Sequence, residues 1–236
     1  MNKKNYFAAG ILPVIKIGNK EYLVLVKRTK DALSSPGSHS LFGGEADEGE
    51  NLDPDSIAQR ESLEEIFIFN KRREESYNLI FEDNNYNKEY EEKTTNLIKL
   101  WNEKMNLEGK ELTIPEKPIV QINPYFRKDE EFNIPSLGKI KIIILKFEIK
   151  ETSIKDLIIF DGEGSEENDQ EKILDRQIDL FEINQFKEWW LNKKENILNS
   201  NFTFQEGREN QKETFISKEK DKISPGLIYV LDKWLL

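Results

Sequence analysis

Residues 43–68 read GGEADEGENLDPDSIAQRESLEEIFI. At their centre stands Arg60-Glu61-Ser62-Leu63-Glu64-Glu65, with carboxylates at i, i+3 and i+4. On an α-helix those offsets share one face. Unpaired acids so spaced repel one another by roughly a few tenths of a kcal/mol, so a cation is expected to balance them. An all-oxygen set suits Mg²⁺ or Mn²⁺. The helix has a clear start, because Asp53 is a good N-cap and Pro54 fits the first helical position, where its missing N–H costs nothing. Leu63, Ile66 and Phe67 recur at i, i+3 and i+4, roughly opposite the carboxylates, and predict the buried seam. Gly43-Gly44 lets the backbone pass close to a bound metal or phosphate and offers a carbonyl as a ligand.

These residues resemble the Nudix box, a loop–helix–loop of the form Gly, five residues, Glu, seven residues, Arg-Glu, a hydrophobic residue, any residue, Glu-Glu, any residue, Gly and a hydrophobic residue. Gly44, Glu50, Arg60, Glu61, Glu64, Glu65 and Ile68 occupy its positions in order. Two departures stand out. Residues 51 to 59 number nine instead of seven, an apparent two-residue insertion in the loop before Asp53. Phe67 replaces the helix-ending Gly, so the helix is expected to run on to Asn70, a tolerable left-handed cap.

The resemblance implies an α/β protein, a Nudix-like α/β/α sandwich with a mixed β-sheet. It also implies a pyrophosphohydrolase that uses Mg²⁺ or Mn²⁺ to cleave the diphosphate linkage of a nucleoside diphosphate derivative: ADP-ribose, a nucleotide sugar or a dinucleotide-like molecule. Carried over residue by residue, Gly44, Glu61, Glu64 and Glu65 hold the ions and Glu61 or Glu64 handles the attacking water. Arg60 pairs with a carboxylate and fixes it. Arg28, His39, Gly43 and Glu50 are the expected substrate contacts. Asp161, Glu163, Glu166 and Glu167, in a late acidic loop, could add a metal-binding or water-activating carboxylate. The competing reading is a catalytically inactive nucleotide-ligand sensor or partner-binding protein of the same fold, motivated by the two departures and opposed by retention of every box carboxylate. A homodimer is a family-level expectation.

Composition narrows the alternatives. A formal net charge of −10 lacks the basic footprint of a nucleic-acid binder. The basic run Lys71-Arg72-Arg73 is the one feature that keeps an RNA-end hydrolase under consideration. With no Cys and one His, neither a zinc–thiolate site nor a histidine metal cluster can be assembled. The absence of Cys also agrees with a cytoplasmic protein. In MNKKNYFAAGILPVIK, Pro13 and Lys16 cut the apolar run short of a signal segment or membrane span. The 236 residues are read as one domain, with 70–118 inserted and 194–236 a C-terminal extension.

Elsewhere, Tyr6–Ile17 and Glu21–Lys27 read as a hairpin across Gly18-Asn19-Lys20. Lys27-Arg28 closes the second strand, and Asp31–Ser40 reads as a loop. Tyr77–Phe81 reads as a short strand and Tyr90–Met105 as an inserted helix. Strands are predicted at Ile119–Phe126 and Lys139–Ile149, with Asp129–Leu137 as their exposed connector, and at Ile178–Phe181. Helices are predicted at Glu182–Lys193 and from Ser224-Pro225 onward, with residues 194–222 irregular between them. Tyr6, Phe7, Phe42, Tyr125 and Phe126 are aromatics that could stack on a base.

Overall fold

A computed structural model describes residues 6–28, 37–45, 53–81, 92, 94–96, 98–99, 102–103, 120–134, 138–150, 153–162, 177–199 and 223–235. The strands are β1 (Tyr6–Ile17), β2 (Lys20–Lys27), β3 (His39–Ser40), β4 (Phe42–Glu45), β5 (Ile66–Asn70), β6 (Glu75–Leu79), β7 (Val120–Ile122), β8 (Phe126–Ile134), β9 (Gly138–Ile149), β10 (Leu157–Asp161) and β11 (Gln177–Glu182). The helices are α1 (Pro54–Glu65), α2 (Ile183–Asn199) and α3 (Pro225–Trp234). The residues described between 92 and 103 are helical, as the insertion predicts. No described helix is long and apolar enough to cross a membrane.

Strand alternation builds the layers. The larger sheet runs β11-β2-β1-β9-β8, with β3 beside β2 and β4 beside β1. It is mixed, because β1 and β9 are parallel and its other pairs antiparallel. Ile11, Ile15, Val24, Val26, Ile143 and Leu145 face α1 through Ile57 and Ala58. Their neighbours Leu12, Val14, Leu23, Leu25, Ile142 and Ile144 face α2 and α3 through Trp190, Leu227 and Leu231. The period of two thus places one core on each side of the sheet, giving an α/β/α sandwich. A smaller sheet, β10-β5-β6-β7, packs with α1 on the first side.

Three boundaries differ from the sequence reading. Helix α1 stops at Glu65, and Ile66–Asn70 is a strand in which all five residues are buried. Ile-Phe-Ile-Phe suits a strand covered on both faces, and its partners β6 and β10 supply the hydrogen bonds that a longer helix would have made internally. Asn70 caps the turn that follows through its side chain, whose Oδ1 accepts the Arg72 and Arg73 N–H groups. Second, the hairpin partner of β9 is β8, which runs from the end of the strand read at Ile119–Phe126 into the stretch Asp129–Leu137 read as a connector, while Val120–Ile122 joins the smaller sheet. Third, α2 continues to Asn199, six residues beyond Lys193.

Gln59 fixes α1 against the smaller sheet. Fully buried, it donates from Nε2 to the Leu79 carbonyl at 3.0 Å and accepts the Phe81 N–H at Oε1 at 2.7 Å. Gln59→Ala removes the partner of a main-chain donor and one partner of a carbonyl, so equilibrium denaturation should report a loss of about 2–3 kcal/mol. A loss below about 0.5 kcal/mol would mean that water replaces the amide.

Candidate active site

Helix α1 carries the acids, and β4 faces them. The Asp53 side chain accepts the Ser56 N–H at 3.2 Å, so the predicted cap forms. In the first turn, Asp55 bridges Lys141 at 2.7 Å and Arg127 at 2.6 Å, tying the start of the helix to β9 and β8. At the other end the Gly162 N–H donates to the Glu65 carbonyl at 3.1 Å. Both ends of the acid-bearing helix are therefore held.

Beside it, β4 comes close to β1, with Gly43 opposite Gly10. Gly43 has φ +142°, and a Cβ there would meet the Ala9 carbonyl. Its N–H donates to Glu65 Oε2 at 2.8 Å. At Gly44 a Cβ would lie 2.7 Å from Glu61 Cδ. Gly43 thus lets β4 lie close against β1, and Gly44 lets it pass within contact distance of the Glu61 carboxylate. Arg60 completes the cluster, with Nη1 at 2.9 Å from both Glu61 Oε1 and Glu64 Oε2 and Nη2 donating to the Glu45 carbonyl at 3.0 Å. Glu65 is buried, and Glu61 and Glu64 are largely covered.

Burial pushes the Glu61 carboxyl up to about 8 from an ordinary 4.5; Glu65 and Glu64 push the same way and Arg60 opposes them. A site that resists full ionisation of its own acids is one that a divalent cation would relieve. The absent Cβ at Gly44 leaves the approach to Glu61 open. The donor set fits Mg²⁺ or Mn²⁺. Among the described residues, no three or more His, Asp or Glu side chains are gathered as ready metal ligands, and Arg60 stands between Glu61 and Glu64.

The shift has a sign that can be tested. Because the folded value exceeds the unfolded one, the stability Glu61 contributes is fully present below 4.5, falls as pH rises, and is gone above about 8. In metal-free protein Glu61→Gln should flatten the decline of melting temperature across that window. An identical pH profile in the variant would show that Glu61 is not the group responsible.

The structure gathers Arg60, Glu61, Glu64, Glu65, Gly43 and Gly44. His39 is placed elsewhere: its ring lies edge-on to Phe181 and its Nε2 is 2.7 Å from Asp179 Oδ2, among residues of the core that faces α2. Arg28 follows β2, its N–H bonded to the Ser38 carbonyl at 2.9 Å. The backbone of Asp161 pairs with Ile66, at the exit of α1. Glu50, Glu163, Glu166 and Glu167 lie outside the described residues. Of the aromatics, Phe42 is fully buried and Tyr125 is exposed and donates to Glu21 at 2.9 Å. Sequence reading missed Asp55, Gln59 and Gly10, whose partners lie far along the chain and leave no local signal.

No protein-family model matches the chain, and no curated protein matches it. Solved structures do. The chain is similar to Nudix hydrolases of known structure. A Nudix hydrolase from M. smegmatis is 11% identical over 85% of this chain and 91% of its own, with a TM-score of 0.38. An Ap4A hydrolase from C. elegans is 13% identical over 81% and 96%, with a TM-score of 0.35. The NUDIX domain of Shewanella oneidensis NrtR, crystallised with ADP ribose, is 8% identical over 84% and 90%, with a TM-score of 0.32. At such distances the chemistry of the site is carried by its own residues.

Proposed function

We propose that this protein is a metal-dependent Nudix hydrolase that cleaves the diphosphate linkage of a nucleoside diphosphate derivative by attack of water on phosphorus. The observation that carries the reading is the contact of Gly43 with the buried carboxylate of Glu65 and of Gly44 with the largely covered carboxylate of Glu61. Glu61, Glu64, Glu65 and the Gly44 carbonyl would hold Mg²⁺ or Mn²⁺, which supplies Lewis acidity toward phosphate oxygens and water. Glu65 is oriented by the Gly43 N–H. Arg60 positions Glu61 and Glu64 together, and one of those two carboxylates orients the attacking water and takes its proton. Substrates to be distinguished are ADP-ribose, nucleotide sugars and dinucleotide-like molecules.

Product release from a panel of these compounds, with Mg²⁺ or Mn²⁺ and with the Glu64→Gln/Glu65→Gln double variant as control, tests the reading. Metal-dependent cleavage that the variant loses supports the hydrolase and ranks its substrates. No cleavage anywhere, with one compound raising the melting temperature, overturns it in favour of a ligand sensor.

A further inference from the structure

The large sheet ends in an open edge. In the order β11-β2-β1-β9-β8, β8 comes last, and β9 is its one strand neighbour among the described residues. The strand spans nine residues, and none from Phe126 to Phe132 is buried. Such an edge presents main-chain donors and acceptors to any strand that can pair with it. Charges along an edge usually deter pairing, but their order here favours one partner.

Residues 126–132 read FRKDEEF, with the bases before Asp129 and further acids after it. Two copies laid antiparallel about a two-fold axis at Asp129 set Arg127 against Glu131, Lys128 against Glu130 and Phe126 against Phe132, each twice. An axis normal to the sheet keeps each face on its own side, so only residues of the same face can stand opposite one another. With the axis at Glu130, Asp129 would meet Glu131. With it at Lys128, that lysine would meet its own copy and Phe126 would meet Glu130. Asp129 is the position at which charge and hydrophobicity both match.

The side chains have the capacity for these contacts. Asp129 tolerates its own copy across the axis because Arg127 and Lys141 already hold it, each at 2.8 Å. Arg127 bonds Asp55 and Asp129 through Nε and Nη2, which leaves Nη1 without an ion pair among the described residues. Lys128 spends a donor on Glu130 of its own strand at 3.0 Å and keeps others. Phe126 is 38% exposed, whereas Phe132 on the same face packs against Tyr229 of α3 with centroids 4.6 Å apart. Pairing would lay Phe126 beside that ring pair of the second copy. We propose that β8 is a self-pairing edge: a second copy of this chain adds its own β8 antiparallel about Asp129, and the large sheet continues through both chains.

Sedimentation of the full chain across its soluble concentration range provides the test. The expected result is a reversible dimer, concentration-dependent because the interface is small and weakened by added salt. Lys128→Glu and Glu130→Lys each set like charges opposite one another twice, and each should weaken the dimer at least about tenfold. Mixed in equal amounts, the two variants should pair with each other about as tightly as the wild type, because one carries acids at both positions and the other carries bases. Damage within a single chain would not be repaired by mixing. The chain has no Cys, so Asp129→Cys should cross-link as a dimer on mild oxidation, whereas Leu191→Cys, exposed on α2, should not. The Cα separation across an antiparallel pair, about 4.5–5.5 Å, lies within the disulfide range. A chain that stays monomeric at every soluble concentration overturns the assignment. So does a dimer that neither reversal weakens, or a mixture of the two variants that forms no heterodimer.

Discussion

Glu65→Gln should lower Mg²⁺-dependent turnover by about 10³-fold, in line with the several kcal/mol that a metal centre contributes to a transition state, while leaving the fold intact. The expectation follows from what each oxygen does. Glu65 Oε2 accepts the Gly43 N–H at 2.8 Å, and a Gln side chain can present its carbonyl oxygen at the same place. The strand-to-helix contact therefore survives, as does the Gly162 contact, which uses the Glu65 main-chain carbonyl. Only the negative charge is lost. Removing that charge from beside Glu61 also relieves a buried repulsion, so the melting temperature should hold steady or rise. Steady-state kinetics alongside thermal denaturation separates the two effects, and unchanged turnover would remove Glu65 from the ligand set.

The adjacent glycines should part company when each is replaced by Ala. In Gly43→Ala the added methyl meets the Ala9 carbonyl and the Gly10 Cα, both main-chain atoms of a buried strand, at a φ of +142° that disfavours a side chain. Neither obstacle can rotate away. The expected cost is about 3 kcal/mol or more, from backbone strain and overpacking together. In Gly44→Ala the obstacle is the far end of the Glu61 side chain, which can swing aside. That variant should fold with near-normal stability and lose about 10²-fold in turnover, because displacing a reacting group by about 1 Å has that scale of effect. Denaturation midpoints and kcat measured on both proteins check the contrast. Equal stability losses would mean that the Gly44 strand cannot spare Glu61, and equal activities would detach Glu61 from the chemistry.

The parts legible in the sequence are those encoded by neighbours along the chain. Asp53 and Pro54 start α1 where cap chemistry predicts, and Gly18 turns the first hairpin with φ +59°. Ser224 stands at the start of α3 as expected, yet its hydroxyl donates to Ser40 across the fold and leaves the helix end without a side-chain cap. What the sequence did not reveal depends on distant partners. Leu63, Ile66 and Phe67 satisfy a helical period, but five consecutive buried residues also satisfy a strand covered on both faces, and only β6 and β10 decide between them. Asp129-Glu130-Glu131 reads as the start of an exposed connector, yet it lies in β8, where Asp129 finds Lys141 at 2.8 Å on the neighbouring strand and the preceding Arg127 finds Asp55. The acids of the candidate site were legible as one helix face. The approach of β4 to them was signalled only by Gly43-Gly44, and the pairing of His39 with Asp179, 140 residues away, had no signal at all.

The proposed reaction requires that the α1 carboxylates hold a divalent cation. An electron paramagnetic resonance titration of Mn²⁺ into the wild-type chain and into the Glu64→Gln/Glu65→Gln double variant, near neutral pH with Mg²⁺ as competitor, measures this directly. The expected result is that the wild type quenches the free-ion signal at a saturable site, that Mg²⁺ restores the signal, and that the variant leaves the free ion in solution. Equally tight Mn²⁺ binding by the variant would contradict it.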